Sequence, residues 1–86
     1  MGISSAQLRA ARALLRWSAL DLAKASKVGV ATIRRVETIE GELPVTAANQ
    51  AALRATLEAA GVEFIDENGG GPGVRLRKRG KQKAPK

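Results

Sequence analysis

The chain has 86 residues, no cysteine, no histidine and a formal net charge of +7. That length fits one small domain with a thin core, to which a partner or dimer mate would add stability. The missing residue types exclude disulfides and cysteine metal sites and remove the commonest general base and metal ligand.

The first predicted helix is capped by Ser4 or Ser5 and runs through AQLRAARALLRW, closing at Trp17. Leu8, Ala11, Leu15 and Leu14 recur at helical spacing on one stripe, and Arg9, Arg12 and Arg16 fall mostly off it. Ser18 then caps a second helix, with Asp21 three residues on in the manner of a capping box, and Leu22 and Ala23 facing inward. Ser26 to Gly29 forms a corner. A third helix spans about Val30 to Thr38, with Ile33 and Val36 inward and Arg34 and Arg35 outward. EGELPV is a loop, and Thr46 caps an alanine-rich fourth helix whose Leu53, Leu57 and Ala60 share a stripe and which ends at Gly61.

VEFI, a glycine-rich turn and VRLRKR follow. Val74 and Leu76 alternate with Arg75 and Arg77, a strand signal, and the two segments suit a hairpin with Glu63 near Arg75 or Arg77. A lone hairpin is marginal, so it must pack on the fourth helix or pair with a second copy. The glycine run at 69–71 lacks the GK[ST] of a phosphate loop and reads as a turn. The last residues, GKQKAPK, are expected to be disordered. The expected organisation is therefore a domain over 1–61, a short β-segment over 62–77 that serves as a dimerisation element, and a basic tail over 78–86.

Charge is segregated along the chain. Residues 1–36 carry seven basic residues against one acid, residues 37–72 carry one against seven, and residues 73–86 carry seven and none. This ordering predicts one basic face, one acidic face and a basic tail, which suits a polyanionic partner as well as a solvated surface. No apolar run approaches the ~20 residues of a membrane span. MGISSAQLRAAR lacks the apolar core of a signal peptide, so a cytoplasmic location is expected. No nucleophile–base pair is visible, and an enzyme is not expected.

The stretch SALDLAKASKVGVATIRRVE resembles the helix-turn-helix of the phage-repressor-like (Cro/XRE-type) DNA-binding family, and the resemblance spans about Leu8 to Leu57. The residues that carry it are Trp17-Ser18, Leu22-Ala23, Val28, Thr32-Ile33 and Val36-Glu37. It implies a mainly α, lambda-repressor-like bundle of four to five helices, with a short C-terminal β-hairpin or intermolecular β-strands. It also implies that Trp17 lies in the core and that Arg12 and Glu37 pair as a salt bridge. The third helix would enter the major groove with its N-terminal half toward the bases. Val30, Ala31 and Arg35 then fall at base-contacting positions. Lys27, Gly29, Thr32 and Arg34 fall at phosphate or mixed contacts, which Arg75, Arg77, Lys78 and Arg79 could extend along the backbone. Three positions depart from the family pattern. Ala19 stands where a phosphate-binding glutamine is frequent, Lys27 where glycine usually takes a left-handed backbone, and Gly29 where a hydroxyl usually caps the recognition helix.

The function so implied is a sequence-specific double-stranded DNA-binding transcriptional regulator, a repressor acting as a homodimer with half-sites ~34 Å apart. No cofactor, metal or small-molecule effector is implied. A protein-binding module on the same fold, of antitoxin or anti-activator type and with secondary DNA binding, is the alternative. RNA binding is disfavoured, because one Phe, one Trp and no Tyr leave little surface for stacking bases.

Overall fold

Among the described residues, three of the four helices start on a hydroxyl that closes their first turn. The computed structural model describes residues 2–41, 45–66 and 68–77, so the expected tail with Lys78 and Arg79 lies outside the described residues. Within them the order is α1 (Ser5–Leu15), α2 (Ala19–Ser26), α3 (Val30–Val36), α4 (Ala47–Ala59), β1 (Val62–Ile65) and β2 (Gly73–Leu76). Ser4, not Ser5, is the cap of α1: its hydroxyl accepts the Gln7 N–H at 3.1 Å and Gln7 Oε1 accepts the Ser4 N–H at 2.9 Å. Ser18 and Asp21 form the same reciprocal pair on α2, at 3.0 and 2.9 Å. Thr46 accepts the Asn49 N–H at the start of α4.

The helix ends differ from the sequence expectation. Helix α1 stops at Leu15, short of Trp17, because Arg16 turns into the left-handed region at φ 60 and sends its N–H back to Ala13 and Arg12. Lys27 ends α2 in the same way at φ 67, the backbone that its place in the corner implies. For a residue with a Cβ that conformation costs about 1 kcal/mol, offset in part by a cation beside a helix C-terminus. Helix α3 ends at Val36 rather than Thr38.

The core is one cluster to which every element but β2 contributes a buried side chain. Leu8 and Ala11 of α1, Leu22 of α2, Val28 of the corner, and Ile33 and Val36 of α3 meet Leu53 and Leu57 of α4 and Val62 and Phe64 of β1. Each large apolar side chain buried this way stabilises by roughly 1.5–3 kcal/mol. Of the stripe expected on α1, Leu14 is exposed and Leu15 only packs against the cluster from its edge, as do Trp17 and Ala23.

The two strands pair within the chain, antiparallel, with Val62 opposite Leu76 and Phe64 opposite Val74. The hairpin lies against α1 and α4, and α3 packs on α2. Val74 packs on the core, but Leu76, at the open end of the hairpin, is half exposed. Gln7 fixes the turn end of the hairpin to α1, donating from Nε2 to the carbonyls of Ile65 and Gly73 at 3.3 and 3.0 Å.

Two stability outcomes follow from the caps. Lys27→Gly should relax the left-handed corner and raise the thermal midpoint by roughly 4–8 °C, the shift that ~1 kcal/mol produces in a domain of this size. A midpoint that falls would show the corner to be unstrained. The backbone N–H and hydroxyl of Ser18 hold the Asp21 carboxyl below its usual range. The unfolded chain therefore binds this proton more tightly, and the cap's contribution is complete above the ordinary carboxylate range and fades as pH falls through it. Thermal scans at descending pH should show a smaller loss for Asp21→Asn than for the parent chain.

Candidate nucleic-acid interface

Helix α3 has seven residues, too few to persist alone, so its position is imposed from outside. Ile33 and Val36 are fully buried and hold one side of it against the core. Successive residues turn by about 100°, so Ala31 and Arg35 lie nearly opposite Ile33, with Arg34 beside them. Ala31, Arg34 and Arg35 are exposed, Val30 and Thr32 half-buried, and Gly29 and Lys27 exposed in the corner before them.

The C-terminal end of α3 is held by charge. Arg12 grips the Glu37 carboxylate through two N–H groups, Nε to Oε2 at 2.8 Å and Nη2 to Oε1 at 2.7 Å. Its Nη1 donates to the Trp17 carbonyl at 2.8 Å, so one guanidinium joins α1, the α1–α2 turn and the end of α3. Arg9 Nη1 donates to the Glu37 carbonyl at 2.6 Å, and the buried Ser5 hydroxyl to the Val36 carbonyl at 2.7 Å. The Glu37 side chain is only 9% exposed and that of Arg12 23%. Hydrogen bonding to Glu37 holds the Arg12 guanidinium above its ordinary range, with burial opposing. The Arg12–Glu37 pair is thus present as expected. Arg9 and Ser5 were not among the expected participants.

The arginines of the hairpin are engaged differently. Arg75 bonds the Glu63 carboxylate through Nε at 3.0 Å and Nη2 at 3.3 Å, which holds Glu63 below its usual range. Arg77 Nη2 donates to the Glu58 carbonyl at 3.1 Å. Arg54 bonds Glu58 and lies 5.3 Å from the centre of the Phe64 ring. Of the acids of the middle segment, Glu37, Glu58 and Glu63 each hold an arginine. Arg75 and Arg77 are exposed and each keeps guanidinium N–H groups beyond those bonded here. The side chains of Arg16, Lys27, Arg34 and Arg35 have no hydrogen-bond or ion-pair partner among the described residues. All four lie on or beside the first three helices.

Elsewhere an open groove between α2 and α4 is lined by Trp17, Ala25, Ala55, Thr56, Ala59 and Ala60, with no convergent charged groups. Among the described residues no group of acids is placed to hold a metal ion, and no helix is long and apolar enough to cross a membrane. Comparison of the chain with protein-family models, curated proteins and solved structures finds no significant match.

Removing one partner of the Arg12–Glu37 pair leaves the other charge poorly solvated. Glu37→Ala should cost about 3 kcal/mol in urea unfolding. A double-mutant cycle with Arg12→Ala should give a coupling of more than about 1 kcal/mol. Additive losses would mean that the two side chains act independently.

Proposed function

We propose that the chain is a lambda-repressor-like helix-turn-helix protein that binds double-stranded DNA sequence-specifically and regulates transcription as a repressor, working as a homodimer. The carrying observation is the division of α3. One side is anchored by Ile33, Val36 and the Glu37 clamp, and the other leaves Arg34 and Arg35 exposed with no partner among the described residues. The second support is the joint before it, a three-residue corner after α2, whose start is fixed by the reciprocal Ser18–Asp21 cap, in the chain order that the sequence resemblance implies.

In this reading α3 lies in the major groove. Arg35 donates to O6 and N7 of a guanine, and Val30 or Ala31 touches a thymine methyl. Arg34, Thr32, Gly29 and Lys27 lie toward the phosphates, and Lys78 and Arg79 extend that contact. Arg75 and Arg77, exposed and with N–H groups left over, add to it beside their bonds to Glu63 and the Glu58 carbonyl. Because the hairpin strands pair within the chain, a second copy would join through an outer edge of the hairpin or assemble on the DNA itself.

Selection of bound sites from random duplex DNA tests the reading. The parent chain should enrich a two-fold symmetric site, and its affinity should fall steeply with salt. Arg35→Ala should lose about 1–3 kcal/mol of discrimination at one base pair per half-site. Arg34→Ala should weaken all duplexes alike and reduce the salt slope by about 1. Unchanged sequence preference in Arg35→Ala would overturn the assignment of that arginine. Absence of DNA binding at low salt would leave the protein-binding module as the better reading.

A further inference from the structure

The turn of the hairpin brings an electrophile and a nucleophile together. Asn68 and Gly69 are both exposed there, between β1 and β2. The Asn68 carboxamide is folded back along the chain, and its Oδ1 accepts the Gly70 N–H at 3.3 Å. A side chain bonded to the amide two residues on passes over the amide in between, so Cγ of Asn68 faces the Gly69 nitrogen. The same bond draws electrons away from Cγ. Gly69 has no Cβ to crowd an approach to its nitrogen, and its φ of 101 belongs to a region that other residues avoid. The chain has a second asparagine, Asn49, in a different setting. It is half-buried in α4 and followed by Gln50, whose N–H is bonded to the Thr46 carbonyl at 2.9 Å.

We propose that Asn68 is a site of spontaneous covalent modification, deamidated by attack of the Gly69 backbone nitrogen on its side chain. The Gly69 nitrogen gives its proton to solvent base and bonds to Cγ of Asn68. The Cγ–Nδ2 bond breaks, and Nδ2 takes a proton from water and leaves as ammonia. Water then opens the cyclic imide at either carbonyl, which yields aspartate or isoaspartate. Holding the two groups side by side in the turn lowers the entropic cost of ring closure. Either product adds a carboxylate beside Asp66 and Glu67 and lowers the net charge of +7 by one. Isoaspartate also lengthens the backbone by a methylene, within a turn whose ends Gln7 clasps at Ile65 and Gly73. The inference is independent of what the chain binds.

The test incubates the full chain at neutral and mildly alkaline pH, folded and in urea, and follows its peptides by mass spectrometry, with Asn68→Gln and Gly69→Ala alongside. The peptide that holds residue 68 should gain the mass of an amide-to-acid exchange and split into two chromatographic forms, aspartate and isoaspartate. Its rate should climb with pH, and the Asn49 peptide should lag many-fold behind. Asn68→Gln should lose the change, because its longer side chain closes a less favourable ring. Gly69→Ala should slow it several-fold, and its rate in urea reads the crowding at the nitrogen even where alanine disturbs the turn. A residue 68 that keeps its mass as well as Asn49 does overturns the proposal. Aspartate as the sole product overturns it too, since water would then have attacked the carboxamide directly, and so does a Gly69→Ala rate equal to that of the parent. A folded chain that reacts far more slowly than the chain in urea overturns it as well, by showing that the turn shields the pair.

Discussion

The bidentate contact between Arg12 and Glu37 is the constraint on which the placement of α3 depends. A helix of seven residues has little stability of its own. Two side chains in the core fix the depth at which it sits, and hydrogen bonds at its last carbonyls fix where it points. The guanidinium that binds Glu37 also binds the Trp17 carbonyl, so the end of α3 is referenced to the end of α1 and to the turn into α2 at once. A largely buried ion pair is a weak source of net stability, because desolvation offsets most of the attraction. Its value here is geometric: a misplaced α3 would leave a carboxylate buried without its partner.

The same arrangement determines which charges remain available. Sequence order places basic residues at both ends and acids between them, and folding brings Arg75 and Arg77 back onto the middle segment. Arg75 lies on Glu63 and Arg77 on the Glu58 carbonyl, while Arg9 and Arg12 are drawn to Glu37. Arg16, Lys27, Arg34 and Arg35, without a hydrogen-bond or ion-pair partner among the described residues, lie on or beside the first three helices. A helix whose anchored side is apolar and whose free side carries two adjacent guanidinium groups accounts for the pattern of Val30 to Glu37. Exposed charge of one sign is costly within a compact chain and useful toward a polyanion.

Much of this was legible in the sequence, and the exceptions have physical reasons. Ser18 and Asp21 announce a helix start because the cap is made entirely within four residues. Ile33 and Val36 face the core, and Arg34 and Arg35 face away, because a helical period admits no other assignment. The N-terminal cap was ambiguous between two adjacent serines, and Gln7 resolves it by returning a bond to Ser4. The second role of Gln7, holding Ile65 and Gly73, spans 58 and 66 residues and leaves no local signature. Leu14 belongs to the expected stripe but lies where no element covers it, and Trp17 is only half-buried because α1 has already ended in a left-handed turn. The pairing of the strands within the chain depends on a contact surface that α1 and α4 provide together, which the pattern of VEFI and VRLR alone left open.

The central claim is that the free side of α3 and the corner before it form the surface that meets a duplex. The most direct measurement is a titration of the isotopically labelled chain with duplex DNA, following every backbone amide by NMR. The account predicts that shifts concentrate between Lys27 and Arg35 and vanish as salt is raised. Shifts centred instead on the groove of Trp17, Ala25, Ala55 and Ala59, or spread evenly without any focus on α3, would contradict it.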